Sequence, residues 1–175
     1  PSSLSQKSSS WKVLIVDDEP DVHDVTELTL HRFELDGMRL QFFDAYSGPE
    51  AKAILSVEPD IALVFLDVVM ETENSGLEVA RWMRQDLKNQ FTRIVLRTGQ
   101  PGQAPEESVI VNYDINDYKE KTELDRTKLF TTTFAALRAY RDIYAVEEAR
   151  RFQATYREGL ERVIEASSHI YQQRN

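Results

Sequence analysis

Residues 11–21 read WKVLIVDDEPD. Val13, Leu14, Ile15 and Val16 run apolar without alternation and stop at three acids, Asp17, Asp18 and Glu19. An unbroken apolar run of this length predicts a strand buried on both faces, as in a parallel sheet covered by helices. The acids then mark where the strand leaves the core.

The same layout repeats along the chain. Pro20 opens a helical stretch in which Val22, Val25, Leu28, Thr29 and Phe33 recur at helical spacing, with Gly37 past its end. RLQFFDAYS, residues 39–47, reads as a strand, and Ser47 with Glu50 has the spacing of a capping box. DIALVFLDVVM, residues 60–70, is the most apolar strand, and NSGLEVARWMRQDL, residues 74–87, is a helix capped by Asn74 or Ser75. TRIVLRTG, residues 92–99, is a strand, and APEESVIVNYD, residues 104–114, holds a short helix. INDYKEK, residues 115–121, is a polar strand suited to a sheet edge, and the pattern is helical from Glu123 almost to the end. The order βαβαβαβαβα predicts an α/β fold: a doubly wound, five-stranded parallel sheet with helices on both faces, followed by a long C-terminal helix.

Composition narrows the function. The 175 residues are 41% hydrophobic, enough for one core, and carry a net charge of −9. An acidic chain argues against direct nucleic-acid binding and against anionic membranes, both of which favour basic patches. No apolar run approaches a membrane span of about 18 residues. With no cysteine there is no disulfide, thiol nucleophile or zinc-thiolate site. The first residue is Pro1, so the chain reads as a piece of something longer, and nothing in it suggests secretion; a cytoplasmic location is expected. PSSLSQKSSS, residues 1–10, is polar and serine-rich, and residues 1–11 are expected to form a flexible tail.

Open parallel sheets bind ligands beyond the carboxyl ends of their strands. Here those ends carry Asp17, Asp18 and Glu19, then Asp67, then Thr98 and Gly99, then the pair Lys119 and Lys121. Acids brought together repel by several kcal/mol at low effective dielectric, so a cation is needed among them. Hard oxygen ligands without His or Cys suit Mg²⁺. Each residue taken alone has a plainer reading: an Asp after a strand caps a turn, a Thr favours β structure, and a Lys protects an edge strand. Their convergence on one end of one sheet carries the inference. Spacing leaves the lysine open, because Lys119 and Lys121 share a face at a period of two.

VLIVDDEP, VFLDVVM, LRTG and DYKEK, supported by AYSGPEA and SGLEVARWMR, resemble the response-regulator receiver domains of two-component signalling over about residues 12–140. The resemblance implies a flavodoxin-like strand order of 2-1-3-4-5. It implies Asp67 as the phosphoacceptor, and Mg²⁺ held by Asp17, Asp18, Asp67 and the carbonyl of Val69, with Asp18 the more direct partner of the acid pair. Thr98 would bond a phosphoryl oxygen, Gly99 would leave it room, and Tyr118 would turn inward as the switch aromatic. The phosphoryl-pairing lysine follows that aromatic by three, which selects Lys121 and leaves Lys119 on the exposed edge. A sensor histidine kinase or phosphotransfer protein would supply the phosphoryl group. The chain would be a signalling module and not itself an enzyme, apart from assisting its own phosphotransfer and dephosphorylation. Two departures stand out. Thr122 replaces the proline usual after the lysine, which predicts a trans bond or a helix cap there, and Glu71 replaces a proline after the acceptor loop's Met70. Glu71 or Glu73 is therefore expected to modify access to the metal.

Residues 141–175 extend the last helix. Val146, Ala149, Gln153, Tyr156, Leu160, Val163, Ser167 and Ile170 form an a/d seam, and Glu147–Arg151 and Glu158–Arg162 are favourable pairs four apart. Gly159 predicts a kink or break. The segment is expected to dimerise and to lead to an output domain absent from this chain; by resemblance, that output is a cyclic-dinucleotide signalling module. The alternatives are a receiver used only for protein contacts, a helix packed back on its own domain, and a phosphatase with an aspartate nucleophile. The last is disfavoured because it needs a second acid where Val69 stands. A nucleotide or flavin domain is disfavoured because DDEPD would repel phosphate.

Overall fold

The computed structural model describes residues 10–99, 107–121 and 125–172, with residues 108, 109 and 165–172 described by backbone alone. The elements are β1 (Ser10–Val16), α1 (Pro20–Leu30), β2 (Glu34–Leu35), β3 (Met38–Ala45), α2 (Gly48–Val57), β4 (Ile61–Asp67), α3 (Ser75–Gln85), β5 (Arg93–Thr98), α4 (Glu107–Asn112), β6 (Asp117–Glu120) and α5 (Arg126–Gln172).

One sheet runs in the order β2-β3-β1-β4-β5-β6. Its parallel part, β3-β1-β4-β5-β6, is the doubly wound order expected. β2 is the addition: a two-residue strand paired antiparallel to β3. Asp36 and Gly37, both at positive φ, form the two-residue turn between them. Asp-Gly is a favoured pair for such a turn, so Gly37 closes a hairpin instead of ending α1, which stops at Leu30.

Period two divides the strands between two cores. Leu14, Val16, Val64, Leu66, Ile94 and Leu96 meet α2 and α3 through Leu55, Val79 and Met83. Val13, Leu63, Phe65 and Val95 meet Leu30, Phe33, Leu129 and Leu137 on the opposite face. β1 begins at Ser10, two residues before the expected boundary. Trp11 is therefore a core residue and not part of a tail: its Nε1 donates to the Leu35 carbonyl at 3.0 Å, and its ring meets Tyr140 edge-on. Residues 1–9 of the expected tail lie outside the described residues.

The face of α1 differs from the periodicity reading. His23, Thr26 and Leu30 are buried, while Val25 and Leu28 are 61% and 72% exposed. Two polar residues can replace apolar ones inside because both are partnered. Thr26 Oγ1 donates to the Val22 carbonyl at 2.6 Å, and both ring nitrogens of His23 face oxygens. At α2, Glu50 N donates to Ser47 Oγ at 3.3 Å, and the Glu50 carboxylate reaches back to Tyr46 N at 2.7 Å, one residue before the capping-box position.

The chain forms two compact units, one ending at Tyr140 and the other starting at Arg141. The second unit is helical through Gln172, and α5 continues across Gly159, where a kink or break was expected, without a break. An alanine-sized group at Gly159 would meet nothing within 4 Å, so the glycine serves no tight contact there. Val146, Phe152, Tyr156, Leu160, Val163 and Ile164 are exposed on this helix. Glu147 pairs with Arg151 at 3.1 Å, and Glu161 with Arg157 at 3.4 Å. The side chains of Ser167 and Ile170, the last seam members, lie outside the described ones. No helix among the described residues is long and apolar enough to cross a membrane.

Candidate functional site

The strand ends converge as the topology requires. β1 delivers Asp17, fully buried, then Asp18 and Glu19, both exposed. One carboxylate oxygen from each of these three lies within 4.8 Å of the others. β4 ends at Asp67, 3% exposed, and β5 ends at Thr98, 1% exposed.

Lys121 sits one residue past β6 and reaches back over this cluster. Its Nζ lies 3.1 Å from Asp67 Oδ2, 3.1 Å from Asp17 Oδ2 and 2.8 Å from Glu19 Oε1. At Asp17 the ion pair is closest to Oδ2 but the hydrogen bond goes to Oδ1, at 3.2 Å. Lys119 does not join them; its Nζ pairs with Asp117 at 3.2 Å. A tie at period two is thus broken by depth along the strand: two residues are roughly 6.6 Å, enough to carry only one ammonium to the sheet's end.

The electrostatics follow from burial. Desolvation raises the Asp67 carboxyl, Lys121 pulls it back in part, and Asp17 pushes it up again, so its pKa lies above the usual aspartate range. Burial alone would lower the Lys121 ammonium, but hydrogen bonds with Glu19 and Asp67 and the charges of Asp17 and Asp67 outweigh it and hold its pKa above normal. A raised carboxyl favours the protonated form of the folded state. Wild-type stability therefore falls as pH climbs through the folded pKa of Asp67, whereas Asp67→Asn has nothing to titrate there. In metal-free buffer Asp67→Asn is therefore expected to gain stability relative to wild type as pH rises through that titration. Melting curves from pH 4 to 8 should show the gap widening with pH; a gap that closes would contradict this electrostatic picture.

The donor set fits a hard divalent cation. Asp67 Oδ1 is buried and accepts no hydrogen bond among the described residues, nor does Asp17 Oδ2, which has only the ammonium beside it. Buried carboxylate oxygens without donors, with Asp17, Asp18 and Glu19 clustered at the end of β1, suit Mg²⁺. Val69, two residues past Asp67, follows on a loop fastened at several points. Val68 N donates to the Arg97 carbonyl at 3.0 Å, Gly76 N to the Val68 carbonyl at 3.1 Å, and Met70 N to the Thr72 carbonyl at 3.2 Å.

Other expected positions divide. Tyr118 is half-buried and packs on the α2–α3 side of the core. Among the described residues a Cβ on Gly99 would meet only Lys121 Cδ, at 3.8 Å. Glu71 is held by α2: Gly48 N donates to its Oε1 at 2.6 Å, which satisfies an otherwise open amide of that helix's first turn. No contact among the described residues ties Glu73 to the acids, and Thr122 lies outside the described residues.

Three positions near the site escaped the sequence reading. Gly76 is pressed against Asp67: a Cβ there would stand 1.9 Å from the Asp67 carbonyl oxygen. Buried His23 faces the Asp17 carbonyl at 2.8 Å and Asp44 Oδ1 at 2.5 Å under the stacked ring of Tyr46. Arg97 is a buried cation inside β5. A histidine in a helix's buried phase and an arginine inside an apolar strand were the available signals.

Comparison with known proteins agrees with this geometry. Residues 13–133 match the response regulator receiver domain family, and residues 133–175 match a family described as a domain of unknown function, DUF3369. The 3′3′-cGAMP-specific phosphodiesterase 2 of Vibrio cholerae serotype O1 is 46% identical over 160 residues, 91% of this chain and 29% of that protein. The response regulator protein PilR of Pseudomonas aeruginosa is 36% identical over 78 residues, 44% of this chain and 16% of PilR. The chain thus spans less than a third of the length of either relative. A CheY-like receiver domain protein from Methanospirillum hungatei JF-1 superposes with a TM-score of 0.61 at 19% identity, covering 76% of this chain and 98% of that one. The signal receiver domain of a Luxo-type repressor from Vibrio parahaemolyticus gives 0.66 at 18% identity, covering 79% and 98%. These two share the fold. With the family match spanning most of the chain and the acids, hydroxyl and lysine gathered at the carboxyl end of its sheet, the protein belongs to the response regulator receiver domain family.

Proposed function

We propose that residues 12–140 form a phosphorylatable switch that takes a phosphoryl group on Asp67 from a sensor histidine kinase or phosphotransfer protein. The observation that carries this is the Lys121 ammonium, held 3.1 Å from both Asp17 and Asp67 while Asp67 Oδ1 keeps no donor among the described residues. In the transfer, an Asp67 oxygen forms the new O–P bond as the donor's N–P bond breaks, and the imidazole leaves with that electron pair. Asp17, Asp18, Asp67 and the Val69 carbonyl would hold Mg²⁺, whose charge offsets that of the transferring group. Lys121 pairs with a phosphoryl oxygen and Thr98 donates its hydroxyl to another. Once Thr98 has turned toward the phosphoryl group, Tyr118 occupies the space behind it. The raised Asp67 carboxyl must ionise before it can attack, so the rate rises with pH through its titration.

Residues 141–175 are a helical extension that dimerises. Its exposed Val146, Tyr156, Leu160 and Val163 keep the a/d spacing expected of a two-stranded coil. The switch controls an output module in the full-length protein. The relative of 46% identity is a cyclic-dinucleotide phosphodiesterase, which supports an output of that class and a cytoplasmic place of action. Acetyl phosphate, or beryllium fluoride, with Mg²⁺ tests the switch. Wild type should gain one phosphoryl group by mass and change its spectrum, while Asp67→Asn should do neither. An unlabelled wild type would refute the proposal. Sedimentation with and without beryllium fluoride reads whether the dimer depends on the switch.

A further inference from the structure

Among the buried arginines, Arg97 stands apart. Arg84 directs its donors at the carbonyls of Tyr113, Asn89, Thr92 and Asp114, and Arg93 directs its own at Phe91 and Gln90. Arg97, 3% exposed, has one side-chain hydrogen bond among the described residues, from Nη1 to Thr26 Oγ1 at 2.9 Å. Its guanidinium carbon lies 5.0 Å from the centre of the Phe65 ring. Nε and Nη2 are buried without a partner among the described residues. One hydrogen bond and a ring face do not offset the several kcal/mol needed to bring a guanidinium out of water.

The rest comes from charge. Asp17 and Asp67 are the carboxylates that act on Arg97, and both are almost wholly buried. Asp67 is its partner in the β4–β5 ladder. Burial lowers the Arg97 pKa to about 10, and the two acids hold it from falling further, so it remains a cation at neutral pH. Its bond to Thr26 fixes it toward α1, whereas Lys121 reaches the acids from the open end of the sheet on a flexible stem.

We propose that Arg97 is a permanent countercharge beneath the acidic site, which steadies the metal-free acids and weakens their hold on a divalent cation. The inference rests on the receiver reading above. Arg97 touches none of the reacting atoms and acts on them through its charge. In the metal-free protein it relieves repulsion between Asp17 and Asp67. When a divalent cation enters, the same fixed charge opposes it. When a phosphoryl group arrives, the added negative charge makes the fixed cation favourable again. The site would thus take up metal loosely at rest and retain negative charge well once modified.

The test is Mg²⁺ affinity by calorimetry, with melting temperature as a second readout. Arg97→Met should bind Mg²⁺ about five- to tenfold more tightly. Its melting temperature should be lower without metal, and Mg²⁺ should raise it by more than in wild type. Arg97→Lys, which keeps the charge, should return the affinity toward the wild-type value. Thr26→Val, which keeps the charge but removes the hydrogen bond, should change stability and leave Mg²⁺ affinity within about twofold. Should Arg97→Met not fold, Arg97→Gln carries the same prediction. A folded neutral variant with wild-type affinity would overturn the inference while leaving the receiver reading intact, as would Thr26→Val shifting affinity as far as Arg97→Met. A wild type that binds no Mg²⁺ and ignores beryllium fluoride would overturn both.

Discussion

Replacing Gly76 by alanine is expected to destabilise the domain by about 4 kcal/mol or more, the range reserved for a named structural clash. The added Cβ would lie 1.9 Å from the Asp67 carbonyl oxygen and about as close as 3 Å to the backbone of Val68. Nothing flexible stands in the way; the obstacle is the main chain of Asp67 and Val68. That chain cannot retreat, because Val68 N is bonded to the Arg97 carbonyl and Gly76 N to the Val68 carbonyl. Urea denaturation should show a large drop in midpoint, and any folded fraction should label poorly at Asp67, because the loop that aims the carboxylate has moved. A variant of wild-type stability would mean that the close approach of α3 to Asp67 is not needed.

The second large effect concerns the lysines. Lys121→Ala removes the ammonium from between Asp17 and Asp67 and leaves two buried carboxylates facing each other. Breaking a buried pair costs about 3–5 kcal/mol, and the partial exposure of this lysine reduces that, so a loss of about 2 kcal/mol is expected in metal-free buffer. Mg²⁺ should recover most of it by supplying a cation to the same oxygens. Beryllium fluoride should no longer drive the conformational change, because its partner just past β6 is gone. Lys119→Ala should change none of these, since Lys119 pairs with Asp117 at the edge. Melting curves with and without Mg²⁺, read beside the spectral response, separate the two. The reverse pattern would move the role to Lys119.

Much of the fold was legible because it rests on local signals. Unbroken apolar runs mark strands buried on both faces, and alternation with helices forces parallel pairing. The acids of β1 and β4 could be placed at one end of the sheet for the same reason: in a parallel sheet every strand finishes on the same side. The hairpin at Asp36–Gly37 was written just as locally but was hidden under the helical pattern that precedes it. The phase of α1 was misread because His23 and Thr26, polar by type, are buried with partners supplied by Asp17, by Asp44 on β3 and by the preceding helical turn.

The chain's own sequence therefore determined the order of elements, the parallel sheet and the identity of the acids, through patterns that act over a few residues. Which lysine reaches them, open to spacing and selected beforehand only by family resemblance, was settled by tertiary structure, as were why Gly76 must lack a side chain and which buried arginine carries its charge toward the site. Each depends on a contact between residues far apart in sequence, Lys121 with Asp17, Gly76 with Asp67, Arg97 with Thr26, and local pattern holds no record of the distance between two strand ends.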